Sequence, residues 1–330
     1  MSAPVKDGAL RGPSLKGPKG QLEASQRAGN GNGRAGSREQ MMRTAIAAAN
    51  DYVSLTKPRI ISLLLLTTVA TMFIADPSGP AFSVVLWTML GGYLAAGGAG
   101  AINHYLERES DARMERTSER PLASGRITPA RGLAFGATLG VIAIAQLAIT
   151  VNLLTAALAA AGLLGYVFVY TLWLKPRTPE NIVLGGAAGA VPPLVGWAAA
   201  TGELSAQALW PFAIVFFWTP PHFWALSLLI ADDYARTGVP MLPVVRGEAT
   251  TRRRIVAYSA LLVLISVGPV VTGLLGAAYL IAALGLGAAF TGLAIALAAR
   301  PSRSAARRMY LSSLAYLALL FIAMALDSAL

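Results

Sequence analysis

Cysteine is missing altogether from these 330 residues, and only two histidines, His104 and His222, occur. The first absence excludes disulfides, thiol catalysis and cysteine-held clusters. The second excludes a metal centre built from several imidazoles. Charge is scarce too. Only 13% of residues are Asp, Glu, Lys or Arg, where soluble domains carry about 25%. With 55% hydrophobic residues and a mean hydropathy of +0.58, the chain is expected to be an all-α polytopic membrane protein. The first 40 residues lack the apolar core of a signal peptide and hold eight glycines among Ser, Lys and Arg, so residues 1–40 are expected to form a disordered basic tail. The net charge of +11 does not call for nucleic acid, because its distribution has a topological reading.

The second region, 41–330, is expected to be one intramembrane domain. A helical pattern runs from Glu39 to Asp51 and suits a membrane surface. Tyr52 to Arg59 then leads in, with Pro58 in the first turn of a helix. Nine apolar segments are long enough to span a bilayer. They fall near 58–75, 82–104, 131–151, 154–174, 181–201, 208–230, 254–274, 277–299 and 308–326. All 27 Lys and Arg residues lie in the tail or in alternate connections, after the second, fourth, sixth and eighth segments. The other connections hold none. This asymmetry predicts a cytoplasmic N-terminus, nine crossings and an outer C-terminus. Glycine clusters such as Gly97-Gly98 and Gly185-Gly186 read as close helix packing.

The stretch from Asn103 to Arg126 has the densest chemistry. Asn103, Glu107 and Asp111 are spaced i, i+4, i+8, so a continuing helix stacks them on one face, about 6 Å apart per step. Oxygen side chains there are costly unless paired with cations. They suit Mg²⁺, which takes phosphate oxygens and waters as its other ligands. Arg116 and Arg120 follow as partners for an anion, and Lys175 and Arg177 lie on the same side of the membrane. A Mg²⁺–diphosphate site is one reading. A solvated loop with local ion pairs is the other.

Further candidates are less specific. Asp232 and Asp233 fit a second metal site or an acidic helix end pairing with Arg236; neighbours on a helix point about 100° apart, so only one faces a shared ion well. His222 sits well inside the sixth segment beside Pro220 and Pro221. It fits a haem-iron ligand, an acid/base, a substrate partner or a satisfied interior residue. Tyr170, Trp224 and other aromatics fit either a hydrophobic slot or an interfacial belt. Asn181 opens the fifth segment.

These pieces carry a resemblance. Leu55-Thr56-Lys57-Pro58-Arg59, Asn103 to Gly125 and Tyr170-Thr171 with Lys175 are similar to blocks of the UbiA superfamily of intramembrane prenyltransferases. Thr219-Pro220-Pro221-His222-Phe223-Trp224 and Pro240-Met241-Leu242-Pro243-Val244 resemble its haem-farnesylating branch, the protohaem IX farnesyltransferases (haem O synthases). The likeness covers about 55–325. It implies a nine-helix bundle in a bacterial inner membrane, with the active site on the cytoplasmic side. It implies farnesyl diphosphate as donor, haem b as acceptor and Mg²⁺ as cofactor. Haem A synthase and terminal-oxidase assembly factors are the implied protein partners. Asn103, Glu107 and Asp111, with Asp232 and Asp233, are the implied metal ligands. Arg116, Arg120, Lys175 and Arg177 are the implied diphosphate clamp. His222, Trp224, Tyr170 and Asn181 line the implied acceptor chamber, and His222 joins Lys175 and the first three ligands as catalytic. Two departures stand out: Glu107 replaces the usual Asp, and the superfamily's second DxxxD motif is absent in that form. An aromatic quinone precursor as acceptor, or transport of haem or a polyprenyl lipid, are the competing functions.

Overall fold

The computed structural model describes residues 39–330. The tail expected over 1–40 therefore lies outside the described residues, except for 39 and 40, which are helical. Residues 39–50 form a helix of exposed side chains. Asp51–Leu330 is a separate compact unit, and among the described residues it contains no strand.

Nine helical stretches in this unit are long and apolar enough to cross a membrane, so it is a multi-pass membrane protein. We number the helices α1 Pro58–Ala75, α2 Phe82–Asp111, α3 Pro129–Thr150, α4 Leu153–Leu164, α5 Asn181–Gly189, α6 Val191–Thr201, α7 Leu209–Leu229, α8 Ala231–Thr237, α9 Leu242–Val271, α10 Ala277–Ala299 and α11 Arg303–Asp327. The first and eighth spans fall where hydropathy predicts. Four deviations have local causes. The second helix does not stop at 104 but runs on to Asp111. The fifth span is two helices, α5 and α6, because Pro192 and Pro193 sit in the first turn of α6 and cannot continue the preceding hydrogen-bond ladder. α9 starts at Leu242, not 254, and turns at Gly247, whose φ of 78° suits glycine. After α4 the chain winds as a π-helix over Gly165–Leu174. There Lys175 N–H donates to the Tyr170 carbonyl (2.9 Å) and the Thr171 hydroxyl to the Tyr166 carbonyl (2.8 Å), both five residues back.

The helices form a closed ring. α2 packs along α3, α7 along α9, α9 along α10 and α10 along α11; α11 then meets α1. α6 crosses to α1 so closely that a Cβ on Gly196 would lie 2.2 Å from the Thr68 carbonyl oxygen. Between α2 and α3 a Cβ on Gly98 would lie 2.7 Å from the Gly136 carbonyl oxygen. These glycines are packing residues, as small-residue faces in membrane bundles generally are. The pinch at α1 and α6 lies at the end of the bundle without Lys or Arg. Toward the other end α5 packs on α7 and on the π segment.

Candidate functional site

The uninterrupted α2 brings Asn103, Glu107 and Asp111 onto one buried stripe. Asn103 is 2% and Asp111 4% exposed. Each of the three meets a cation from a different part of the chain. Lys57 Nζ donates to Asn103 Oδ1 at 2.6 Å. Lys175 Nζ donates to Glu107 Oε1. Arg120 Nη1 donates to Asp111 Oδ2 at 2.7 Å. The result is a ladder of three oxygen groups faced by three nitrogen groups, which meets the requirement that buried charge be paired.

Local folding explains how the cations arrive. Lys57 caps α1 with φ 58°, the one positive φ at a non-glycine among the described residues. Such a conformation costs of order 1–3 kcal/mol and concentrates at functional positions. Pro58 follows directly, so the chain turns into α1 just as Lys57 faces α2. Lys175 ends the π segment. The wider winding places it one turn beyond Tyr170, and π segments are frequent at functional sites. Asn103 Nδ2 donates to Thr171 Oγ1 at 3.2 Å, which ties α2 to the same segment. Arg120 comes from the connection 112–128. Met114 and Leu122 bury their side chains there, and the Thr117 hydroxyl donates to the Asp111 carbonyl. Burial draws the Lys57 ammonium down to about 7 from 10.5. Burial is also the largest influence on Lys175 and acts to lower it, but the Glu107 carboxylate together with Tyr234 and Tyr166 more than offsets this and raises Lys175 above its usual value.

The other candidates make no side-chain hydrogen bond to this ladder. Arg116 is exposed. Arg177 donates to the Leu172 and Trp173 carbonyls at 3.0 and 3.1 Å, so it satisfies the open end of the π-helix. Asp232 is exposed, and Asp233 is buried and paired with Arg236. Tyr170 packs against Tyr166 with ring centroids 5.4 Å apart. Asn181 is fully buried; its amide nitrogen donates to the Thr178 carbonyl and its Oδ1 has no partner. Trp224 is fully buried, edge-on to Tyr258, with Nε1 unpartnered.

His222 belongs to a second cluster, between α7 and α11. Its ring stacks between Trp218 (4.3 Å) and Tyr310 (4.9 Å), and Nδ1 lies 2.6 Å from Ser313 Oγ. Three partners were not singled out from the sequence: Lys57, Thr171 and Ser313. Lys57 carried a signal, a lysine directly before a proline at a helix start. Thr171 stood in a block that carries the family resemblance, without a role of its own, and Ser313 carried no signal beyond being polar inside an apolar segment.

The donor set fits Mg²⁺: one amide and two carboxylates, all hard oxygens, on one face. Among the described residues, no group of three or more His, Asp or Glu is placed to hold a metal ion.

Residues 64–324 match the model of the UbiA prenyltransferase family. A protein named protoheme IX farnesyltransferase from Roseiflexus sp. (strain RS-1) is 54% identical over 277 residues, 84% of this chain and 52% of that one. One of the same name from Symbiobacterium thermophilum is 51% identical over 279 residues, 84% of this chain and 93% of that one. This chain thus spans about half the length of the Roseiflexus relative and nearly all of the Symbiobacterium one. Among solved structures, a digeranylgeranylglyceryl phosphate synthase superposes with a TM-score of 0.68 at 16% identity, over 85% of this chain and 98% of that one. A UbiA homologue from Archaeoglobus fulgidus bound to GPP and Mg²⁺ superposes at 0.63 and 15% identity, over 83% and 99%. At such identities the structures speak for the fold. The chain belongs to the UbiA prenyltransferase family.

Proposed function

We propose that this protein farnesylates haem b, with farnesyl diphosphate as donor, giving haem O. The observation that carries this reading is the ladder Asn103–Lys57, Glu107–Lys175, Asp111–Arg120. It stands in a chain about half identical to full-length proteins named for that reaction. Asn103, Glu107 and Asp111 would hold Mg²⁺ together with the diphosphate. When bound, the metal supplies charge neutralisation for a leaving diphosphate.

The chain's own groups do the rest. Lys57, Lys175 and Arg120 exchange their oxygen partners on α2 for phosphate oxygens, which orients the donor with its allylic carbon toward the bundle. Tyr170, one turn deeper on the π segment, and Tyr166 beyond it would supply aromatic surroundings for the positive charge that develops as the C–O bond breaks. Apolar walls exclude water from it until the new carbon–carbon bond has formed. The acceptor occupies the side of the bundle nearer α7 and α11, where His222, Trp218 and Tyr310 gather. The basic ends of the spans face the cytoplasm in this reading, and the membrane is the bacterial inner membrane. Haem O passes to terminal oxidases or to an enzyme making haem A.

The test uses inner membranes containing the protein, supplied with haem b, Mg²⁺ and farnesyl diphosphate, with extracted pigments analysed by mass. Haem O should appear and should require all three additions. A prenylated hydroxybenzoate in a parallel incubation, with haem b unchanged, would transfer the reading to the quinone branch. Unmodified haem crossing the membrane would transfer it to transport.

A further inference from the structure

Ser313 of α11 holds the His222 ring in a way that determines which nitrogen is available. Its single hydroxyl hydrogen is directed at the Tyr310 carbonyl, 2.6 Å away. The same oxygen lies 2.6 Å from His222 Nδ1. Having given its hydrogen to Tyr310, the Ser313 oxygen can only accept, so Nδ1 carries the proton and Nε2 a bare lone pair. Trp218 fixes this backbone further, because its Nε1 donates to the Ser313 carbonyl at 2.8 Å. Both faces of the imidazole are covered by Trp218 and Tyr310, and Phe223 stands edge-on at 5.4 Å. The Nε2 edge is left. Among the described residues it has no hydrogen-bond partner, yet it is not among the sealed buried atoms that lack one.

Resting on the haem-farnesylating reading, we propose that Ser313 is a positioning residue. It fixes His222 as the Nδ1–H tautomer, so that Nε2 takes the proton of the water that completes the hydroxyethylfarnesyl group. The farnesyl C1–O bond breaks and its electron pair leaves with diphosphate. The vinyl π pair forms the new carbon–carbon bond, which leaves a cation on the vinyl carbon next to the porphyrin. Water oxygen adds there, and its proton passes to Nε2. The imidazolium so formed lies between two aromatic faces, whose quadrupoles favour a cation. The proton then leaves to the diphosphate product or to solvent.

Only two histidines occur in the chain, so ¹⁵N-histidine NMR of the full-length protein in nanodiscs gives two imidazoles, assigned by comparison with His222→Asn. The expected spectrum shows His222 protonated at Nδ1 and bare at Nε2, and mixed tautomers in Ser313→Ala. Turnover of Ser313→Ala should fall about tenfold in kcat with KM for farnesyl diphosphate unchanged. The share of farnesylated haem lacking the added water should rise. Ser313→Thr, which keeps the hydroxyl, should restore tautomer and product. An Nε2–H tautomer in the parent overturns the proposal without any variant having to fold. So does Ser313→Ala with parental kcat and product ratio. A parent that makes no farnesylated haem from any acceptor mixture overturns the functional reading and the proton-transfer role together. The tautomer spectrum, read without turnover, tells that case from a misplaced Ser313.

Discussion

Asp111 on α2 and Arg120, nine residues on in the connection to α3, meet with Oδ2 and Nη1 2.7 Å apart, the carboxylate buried and the guanidinium partly so. The arrangement gives each partner a separate role to test. Asp111→Ala should abolish haem O formation while the protein still inserts and purifies normally. Loss of one of three oxygen ligands removes several kcal/mol from leaving-group stabilisation, which is a rate loss of more than about a hundredfold. Near-parental turnover in this variant, measured by pigment mass analysis, would remove the metal-site assignment.

Glu107→Asp should stay active. It restores the carboxylate usual in the resembled family and keeps the charge that faces Lys175. Steady-state kinetics should show turnover within about tenfold of the parent, a barrier change of at most 1.4 kcal/mol. An inactive but well-expressed variant would mean that the longer side chain is needed to reach both the lysine and the ligand.

Arg120→Ala and Lys175→Ala should each raise KM for farnesyl diphosphate by roughly tenfold or more, as expected for a lost charge-assisted contact of about 1.5–3 kcal/mol. KM for haem b should move much less. Arg177→Ala is the contrasting case, because that guanidinium is engaged with the Leu172 and Trp173 carbonyls. Its diphosphate KM should remain within about twofold. Equal KM increases in all three variants would place Arg177 in the clamp after all.

The ladder also predicts an order of binding. Both carboxylates of the ladder are already held by Lys175 and Arg120, so a lone divalent cation has to displace those partners unaided. A metal arriving with diphosphate brings net negative charge and lets each pair exchange partners. Calorimetry should detect little Mg²⁺ binding alone and strong binding once a non-reactive diphosphate analogue is present. Tight Mg²⁺ binding without the analogue would contradict this.

Much of the bundle was readable from hydropathy and from the one-sided placement of Lys and Arg, because a membrane leaves few choices of backbone. The alignment of Asn103, Glu107 and Asp111 was readable too, since it needs only a continuous helix. Their partners were less so. Lys57 and Lys175 are 46 and 68 residues from the groups they face, and no local period reports a pairing of that range. The π winding at Gly165–Leu174 carries no composition signal, so the register that aims Thr171 and Lys175 at α2 was hidden. Ser313 is a small polar residue in an apolar span, and nothing in its sequence surroundings points to His222, 91 residues away. The break at Ala190 was foreshadowed by Pro192 and Pro193, yet summed hydropathy bridges it.

The ring closes with its last helix on its first: α11 packs against α1 and α7, and Ser328 Oγ donates to the Phe73 carbonyl at 3.3 Å. During synthesis this divides the protein in time. Lys57, α2, Arg120 and Lys175 have all been made by the end of the fourth span, so the ladder can assemble early. His222 waits for Ser313, which follows after the stretch from 176 to 312. At roughly 5–20 residues per second that delay is on the order of ten seconds. For that interval the nascent chain holds a polar, cation-rich cleft with an unclosed lateral wall. A chain released before α11 would contain every residue of the ladder and lack both Ser313 and Tyr310, the partners of His222.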